Sequence, residues 1–166
     1  MSKNNTYPTE MKILMVCLGN ICRSPLAEGL LRDKIKRLGL PWEVDSAGTS
    51  GWHEGERPDA RINEVSKQNN VSLYGIYSRK LQVEDLKHFD LILVMDTSNY
   101  NNTIALARGD RALIDKVHRI GEYSTNYKDM DIPDPYFEGG FERVFEMLDD
   151  ATDGVIRAYS PEFIAR

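Results

Sequence analysis

Apolar runs and amphipathic segments alternate along this chain of 166 residues. Lys12 to Val16 form a first predicted strand, and Leu91 to Met95 form the clearest buried strand, because an unbroken apolar run suits a parallel sheet covered on both faces. Two shorter strands are predicted, one after Pro41 through Val44 and one from Lys116 to Ile120.

Apolar residues at helical spacing predict the elements between these strands. Ser24 is predicted as the N-cap of the first helix, with Pro25 at its first position and Gly39 just past its end. Further helices are predicted from Asp59 to Asn69, from Val83 to Phe89, from the cap Asp96 to about Ala107, and from Phe141 through Tyr159. Strands that alternate with helices form right-handed crossovers. We therefore expect an α/β fold, a three-layer doubly wound sheet of four parallel strands with helices on both faces.

Three loops follow the predicted strands, at Cys17 to Arg23, Ser46 to Pro58 and Gly121 to Gly140. In a parallel sheet the carboxyl ends of the strands share one edge, and ligands bind just beyond that edge. We therefore expect these loops to meet in one site.

The first loop, with the sequence CLGNICR, joins the first strand to the first helix. Backbone N–H groups at such a junction point toward one spot, where the helix dipole favours a phosphate or a thiolate. Cys17 offers the thiolate, and Arg23 offers a planar fork that binds two phosphate oxygens at once. An ordinary thiol is only about 3 % ionised at pH 7, so a nucleophilic cysteine needs such surroundings. The alternatives are a small buried side chain for Cys17 and a surface ion pair for Arg23.

Composition limits the classes of partner and compartment. The formal net charge of −5 and the lack of a basic cluster argue against nucleic acid as a partner, and no apolar stretch is long enough to span a membrane. Only Cys17 and Cys22 are cysteines, which indicates a reducing, cytoplasmic setting. Residues 1–10 are predicted to be a flexible polar tail and residues 11–166 a single domain, since no linker or repeat divides them.

Four segments carry a resemblance to a known family. Val16 to Pro25 contains a Cys-x5-Arg-Ser loop. The other three are DSAGT from Asp45 with Trp52-His53 after it, MDTSN from Met95, and IPDPY from Ile132. Together they resemble the low-molecular-weight protein tyrosine phosphatases, and the resemblance extends over most of the chain after the polar tail. Four motifs in the right order are far more specific than any one of them.

The resemblance implies an enzyme that hydrolyses phosphotyrosine through a cysteinyl-phosphate intermediate. Cys17 would be the nucleophile, Arg23 the phosphate clamp, and Asp134 the general acid and then the general base. The resemblance requires no metal and no cofactor. It implies phosphotyrosine-containing proteins as substrates and raises a cognate tyrosine kinase as a further partner.

A general acid is needed because cleavage of a phosphate ester by a thiolate leaves an oxyanion that must be protonated. Asp129, Asp131 and Asp134 all lie in the same polar loop. Asp134 is preferred because Pro133 and Pro135 constrain its backbone, and the resemblance points to the same residue.

Other residues of the expected site bind or surround the phosphate and the ring. In the family, the residue matching Asn20 holds the loop shape, and the one matching Ser24 steadies the thiolate. A cleft for an aromatic ring is expected between Leu18, Trp52 and the pair Tyr136-Phe137, with core packing as the alternative for each. The predicted substrate-binding residues are Leu18, Gly19, Asn20, Ile21, Cys22, Ser24, Trp52, Tyr136 and Phe137.

Cys22 is hypothesised to be a resolving thiol that forms a reversible disulfide with oxidised Cys17, which would make the enzyme redox-sensitive. The alternative is a second small residue of the loop. Zinc binding is disfavoured, because the loop offers two thiols and no histidine at ligand spacing.

Other functions on the same fold stay open. Arsenate reductases with an internal thiol relay carry further cysteines, and none follows Cys22 here, so only an external relay would serve. Relatives that act on phosphoarginine carry threonine where Ile21 stands, so Ile21 favours phosphotyrosine. A non-catalytic phosphate-binding module would lack Cys17, Arg23 or Asp134, and all three are present.

The sequence differs from the family pattern in the position of its histidines. Many members have a histidine that supports the loop asparagine, and the segment Tyr74 to Lys80 has none, so the support of Asn20 is open. His88 and His118 are expected to be structural, and no role is assigned to His53.

Overall fold

A computed structural model describes residues 10–160 of the protein. Four parallel strands form one sheet in the order β2-β1-β3-β4. They are β1 (Met11–Cys17), β2 (Trp42–Gly48), β3 (Leu91–Val94) and β4 (Val117–Arg119). The predicted tail, apart from Glu10, lies outside the described residues.

Seven α-helices occur within residues 10–160. They are α1 (Arg23–Leu38), α2 (Ala60–Gln68), α3 (Val83–His88), α4 (Thr97–Ala105), α5 (Arg111–Ile114), α6 (Pro135–Glu138) and α7 (Phe141–Tyr159), with a 3₁₀ helix at Ile120–Tyr123. None of the helices in this part of the chain is both long enough and apolar enough to cross a membrane.

The sheet is covered on both faces, as the alternation of side chains along β1 demonstrates. Ile13, Met15 and Cys17 belong to an apolar cluster with α1, α2 and α7. Leu14 and Val16 belong to a second cluster on the opposite face, with residues of α3, α4 and α5. Successive residues of a strand point to opposite faces, so both faces of β1 are apolar. The expected fold, a three-layer doubly wound sheet of four parallel strands, is confirmed.

Several helix ends follow the sequence closely. Gly39 ends α1 in the left-handed conformation, with φ of 69°. The carboxylates of Asp59 and Asp96 accept hydrogen bonds from the first turns of α2 and α4, from Arg61 N at 2.8 Å and Asn99 N at 2.7 Å. The predicted end of α1 at Gly39 and the predicted cap Asp96 are confirmed, whereas Asp59, predicted as the first residue of its helix, is the N-cap of α2. Asp96 also lies at the carboxyl end of β3, so its second carboxylate oxygen faces the expected site.

The prediction that Ser24 caps α1 is wrong. The helix begins at Arg23 with Cys22 as its N-cap, and no side chain caps it. Pro25 is the third helical residue, which is tolerated because amides of the first turn have no partner inside the helix. Serine is favoured as a cap for its short hydroxyl, and in this structure that hydroxyl contacts Cys17 instead.

The second strand is longer than predicted and ends at Gly48 rather than Val44. All seven of its residues pair with β1, as far as Cys17 opposite Gly48. β2 is an edge strand, so polar residues such as Asp45 and Ser46 face outward or toward other partners without breaking the ladder. The loop predicted from Ser46 to Pro58 therefore begins only after Gly48.

Shorter elements account for the other differences. β4 has three residues rather than the five predicted from Lys116 to Ile120, and α5 was not predicted because four residues leave too short a pattern. The expected loop from Gly121 to Gly140 contains part of the 3₁₀ helix and the whole of α6.

Candidate active site

Cys17 ends β1, and its sulfur lies against the start of α1. The backbone N–H of Asn20 donates a hydrogen bond to Cys17 Sγ at 3.2 Å, and the hydroxyl of Ser24 lies 3.0 Å from the same sulfur. The first amides of α1 have no carbonyl partner within the helix, and the helix dipole adds positive potential there. The Asn20 amide and the Ser24 hydroxyl thus lie within hydrogen-bond distance of the sulfur that is expected to act as the nucleophile.

Asn20 holds the shape of this loop. It is a non-glycine residue in the left-handed region, with φ of 57°, and only 1 % of it is exposed. Its side-chain N–H groups donate to Ser24 Oγ at 2.8 Å and to Ser46 Oγ at 3.0 Å, and its side-chain oxygen Oδ1 accepts from the backbone N–H of Arg79 at 3.0 Å. Ser46 and the backbone of Arg79 therefore support Asn20 in this protein, where many family members use a histidine.

Glu28 lies at the far end of this network. Ser46 Oγ donates a hydrogen bond of 2.6 Å to Glu28 Oε1. Burial raises the pKa of Glu28 to about 7, although the hydrogen bond from Ser46 and the charges of Arg32 and Arg79 act in the opposite direction. Sequence analysis missed Glu28, yet it lies four residues after Ser24, on the buried side of α1. That spacing is the signal that would have identified it.

Arg23 is 2 % exposed and is held on one side of its guanidinium. Nη1 donates to Asp96 Oδ2 at 2.7 Å and to the carbonyl of Ile132 at 2.9 Å, while Nη2 donates to Asp134 Oδ2 at 3.2 Å. Burial alone would lower the pKa of Arg23, but the charges of Cys17 and Asp134 and the contact with Asp96 raise it. Within residues 10–160, Arg23 Nε has no hydrogen-bond partner. Asp96, expected only as a helix cap, thus also orients this arginine.

Asp134 is the N-cap of α6. Its Oδ1 accepts from Tyr136 N at 3.1 Å, and its Oδ2 faces Arg23. The competing carboxylates of Asp129 and Asp131 are paired with the Arg119 guanidinium instead, at 2.6 and 3.0 Å. Of the three aspartates considered, Asp134 lines the cavity that contains Cys17.

This cavity has a volume of about 320 Å³. It is lined by Cys17, Leu18, Gly19, Ile21, Cys22, Arg23, Trp52, His53, Asp134, Tyr136 and Phe137. Trp52 and Phe137 are 72 % and 68 % exposed, so they form its rim rather than part of the core. Asn20 and Ser24, predicted to bind substrate, are buried behind the loop. His53, to which no role was assigned, is part of the lining.

Tyr136 is braced from outside the cavity. The guanidinium of Arg61 lies 5.5 Å from the Tyr136 ring centre and is itself held by Asp59. The backbone N–H of Asp59 donates to the carbonyl of Ile21 at 2.8 Å. The start of α2 therefore connects the phosphate-binding loop to the aromatic wall.

Comparison with known proteins decides the family. The family model described as "Low molecular weight phosphotyrosine protein phosphatase" matches residues 12–162. The chain belongs to this family.

Relatives of this phosphatase cover nearly its whole length. A putative low molecular weight protein-tyrosine-phosphatase of Synechocystis is 40 % identical over 158 residues, which cover 93 % of this chain and 99 % of the relative. The crystal structure of YfkJ from Bacillus subtilis matches with a TM-score of 0.87 at 33 % identity and covers 93 % of this chain and 97 % of that chain. The structure of DARP, described as drosophila arginine phosphatase, matches with a TM-score of 0.83 at 32 % identity and covers 90 % and 98 %.

Cys22 lies in the phosphatase loop beside the expected nucleophile. It is 3 % exposed, and both cysteines are free thiols. Burial raises the pKa of Cys22 well above its usual range, and the charges of Asp59, Cys17 and Asp134 raise it further. Cys22 is therefore a neutral thiol at pH 7 and a poor competitor for the role of nucleophile.

A second, wider groove of about 710 Å³ lies between α2 and residues 70–77 of the phosphatase. Its lining contains no cysteine, histidine or carboxylate, so it offers neither the thiolate nor the carboxyl proton donor that the expected reaction uses. We therefore assign the chemistry to the smaller cavity. Among the described residues, no group of three or more His, Cys, Asp or Glu side chains is arranged to hold a metal ion.

Proposed function

We propose that this protein hydrolyses phosphotyrosine in proteins through a cysteinyl-phosphate formed on Cys17. One observation carries the proposal: the sulfur of Cys17, the guanidinium of Arg23 and the carboxyl group of Asp134 all border one cavity. A nucleophile, a phosphate clamp and a proton donor are the three groups that this reaction requires.

Phosphate binding uses the free side of Arg23. Because Asp96 and Ile132 hold Nη1, the groups Nε and Nη2 are left to face two phosphate oxygens. Binding would exchange the contact between Nη2 and Asp134 for a contact with phosphate. That exchange releases the Asp134 carboxyl toward the oxygen that links phosphorus to the ring.

In the first chemical step, the Cys17 thiolate attacks phosphorus opposite the phenolic oxygen. The S–P bond forms, the P–O bond to the ring breaks, and Asp134 gives its proton to the departing oxygen. Arg23 and the N–H groups of the loop stabilise the charge on the three remaining phosphate oxygens. The donors to Cys17 Sγ are already in place before the reaction starts.

In the second step, water attacks the phosphorus of the cysteinyl-phosphate. Asp134, now a carboxylate, takes a proton from the water as the O–P bond forms. The S–P bond breaks, and Cys17 leaves as a thiolate that Asn20 and Ser24 stabilise. Inorganic phosphate is the product, and the enzyme returns to its starting state.

The walls of the cavity support an aromatic substrate. Leu18, Ile21 and Tyr136 line it, and Trp52 and Phe137 stand at the rim. A phosphotyrosine ring would gain aromatic contacts with these walls, whereas a phosphoserine side chain has no ring to make them.

A substrate panel tests this function. The purified protein is assayed with a phosphotyrosine peptide, the matching phosphoserine peptide, phosphoarginine and arsenate. We expect kcat/KM for the phosphotyrosine peptide to exceed that for every other substrate by at least about 100-fold. Ile21→Thr serves as the comparison variant. Its kcat/KM for phosphoarginine, relative to that for the phosphotyrosine peptide, should be higher than in the wild type. A wild-type preference for phosphoarginine or arsenate would replace the proposed substrate.

We further propose that Cys22 protects Cys17 from overoxidation. Peroxide converts the Cys17 thiolate to a sulfenic acid, and attack by the Cys22 thiol gives a disulfide and water. Oxidation also removes a negative charge that disfavours ionisation of Cys22, since the Cys17 thiolate is one of the groups that raise its pKa.

Peroxide treatment is therefore expected to inactivate the wild-type enzyme in a form that dithiothreitol restores. In Cys22→Ser the same treatment should give a loss that dithiothreitol does not reverse, because Cys17 proceeds to the sulfinic acid. Phosphate release before and after reduction measures both. Equal recovery of the two proteins would remove Cys22 from this role.

The mechanism requires Cys17 in its reduced form, which supports a reducing compartment such as the cytoplasm. The reaction consumes phosphotyrosine, so a tyrosine kinase must supply the substrate, and we propose such a kinase as the enzyme's counterpart.

A further inference from the structure

Arg119, at the end of β4, holds the segment that carries the expected general acid. Its Nη2 donates to Asp129 Oδ1 at 2.6 Å, and its Nη1 donates to Asp131 Oδ1 at 3.0 Å and to the carbonyl of Asp129 at 3.2 Å. One guanidinium thus binds two carboxylates and a backbone carbonyl of the same segment. We call residues 129–134 the acid segment, since Asp134 ends it.

The acid segment is also tied to α4. Asp131 Oδ2 accepts from the backbone N–H and the hydroxyl of Thr97, both at 3.0 Å. Burial alone would raise the pKa of Asp131, but the hydrogen bonds from Thr97 and Arg119 lower it, so Asp131 is a carboxylate with all its partners in place. Thr97 follows Asp96 directly, and Asp96 orients Arg23.

The backbone of the acid segment is held at Asp129 and again at Ile132. Asp129 has φ of 61°, and its N–H donates to the carbonyl of Gly121 at 2.8 Å. Gly121 packs so closely on the carbonyl of Met130 that a Cβ there would collide with it. The N–H of Ile132 donates to the carbonyl of Met95 at 2.9 Å, and its carbonyl accepts from Arg23. Asp134 follows Ile132 by two residues.

We propose that Arg119 is a positioning residue for protonation of the leaving group: it holds the acid segment so that the Asp134 carboxyl stays beside Cys17. The proposal rests on the proposed phosphatase function. Arg119 does not line the cavity and contacts neither Cys17 nor Arg23. Its influence must therefore pass through the acid segment, which reaches the site at Asp134 and at the Ile132 carbonyl that accepts from Arg23. We infer that it passes through Asp134, and the double variant below tests this.

Each ion pair of Arg119 taken alone would contribute little, because the side chains of Asp129 and Asp131 are 64 % and 40 % exposed and therefore solvated. The Arg119 side chain is 23 % exposed and makes three contacts to a single segment. Loss of Arg119 leaves Asp129 in its left-handed conformation without the bonds that compensate for it. The expected result is a mobile acid segment rather than an unfolded protein.

The test compares kcat/KM for phenyl phosphate, a poor leaving group, with kcat/KM for p-nitrophenyl phosphate, a good one. In Arg119→Ala we expect a loss of about tenfold on phenyl phosphate and less than about twofold on p-nitrophenyl phosphate, because only the poor leaving group depends strongly on its proton donor. Arg119→Lys, with one point charge in place of the fork, should fall between the two proteins.

A double variant identifies the path of the effect. If Arg119 acts through Asp134, then adding Arg119→Ala to Asp134→Ala should change kcat/KM for phenyl phosphate by less than about twofold. A further loss as large as in the single variant would overturn the proposal. An equal loss on both substrates in the single variant would do the same, since it indicates general structural damage.

Arg37→Ala is the matched control, because Arg37 pairs with Asp33 on the surface of α1. It should match the wild type in both assays. If the wild-type enzyme hydrolyses neither aryl phosphate, the proposed function fails. Amide hydrogen exchange then tests separately whether Arg119 holds the acid segment. Exchange of residues 129–134 should be faster in Arg119→Ala than in the wild type, and unchanged exchange would overturn the role of Arg119.

Discussion

Replacing Cys17 with serine is expected to lower kcat/KM for p-nitrophenyl phosphate by more than about 10⁴-fold. Serine keeps the size of the side chain and the contacts to Asn20 and Ser24, but its hydroxyl is not ionised near neutral pH. No other thiol replaces it, because burial keeps Cys22 protonated. Steady-state release of p-nitrophenol measures the loss.

The binding of phosphate provides the control for this variant. Arg23 and the amides of the loop remain in Cys17→Ser, so inorganic phosphate should still raise its melting temperature. A variant that keeps phosphate binding and loses turnover has lost the nucleophile alone. Activity close to that of the wild type would refute Cys17 as the attacking group.

Replacing Asp134 with alanine is expected to be the second-largest effect. We expect kcat/KM for phenyl phosphate to fall by about 10²- to 10³-fold, and that for p-nitrophenyl phosphate to fall much less. The carboxyl group sits between Arg23 and the cavity, where it can protonate the departing oxygen. A better leaving group needs less of that proton, so the loss should grow as the leaving group becomes poorer.

Asp110→Ala is the matched control for Asp134→Ala. Asp110 caps the four-residue helix α5 by accepting from Ala112 N at 3.0 Å, as Asp134 caps the four-residue helix α6. Both variants lose a cap worth about 1 kcal/mol, but only one loses a carboxyl group at the cavity. Equal activity of the two variants, or equal losses on both leaving groups, would contradict the role of Asp134.

Much of the fold could be predicted, because both faces of the sheet are covered and its central strands therefore carry unbroken apolar runs, 13–17 in β1 and 91–94 in β3. β1 and β3 show this, and each was predicted within one residue at either end. β2 was cut short because Asp45 and Ser46 interrupt its apolar pattern, and an edge strand accepts polar residues that a central strand does not. Periodicity reports burial, so it identifies central strands better than edges.

In the candidate site, too, some residues could be predicted from the sequence and others could not. Cys17 and Arg23 belong to one contiguous loop, so local sequence was enough to propose both. Asp134 was preferred to Asp129 and Asp131 for its flanking prolines together with the family resemblance. Asp96 binds Arg23 across 73 positions in the chain, which no local pattern reveals. Arg119 was missed because its carboxylate partners lie 10 and 12 positions away, beyond the spacing of helix or strand periodicity. Glu28 was missed although its spacing from Ser24 on α1 was a usable signal.

Ser24 illustrates a different limit. Its residue type and its place before a proline favour a helix cap, and the same short hydroxyl serves equally well beside a thiolate. Only the position of Cys17 at the end of β1 decides between these roles. Local propensity gave way to a tertiary contact at the point where the chemistry is expected.

The central claim is that the phosphoryl group is transferred from the substrate to Cys17 before water removes it. The most direct measurement mixes the wild-type enzyme with a radiolabelled phosphotyrosine peptide, denatures it within milliseconds and locates the label by peptide mapping. Our account predicts phosphocysteine at Cys17 and no label in Cys17→Ser. Turnover without a labelled enzyme, or with the label on another residue, would contradict it.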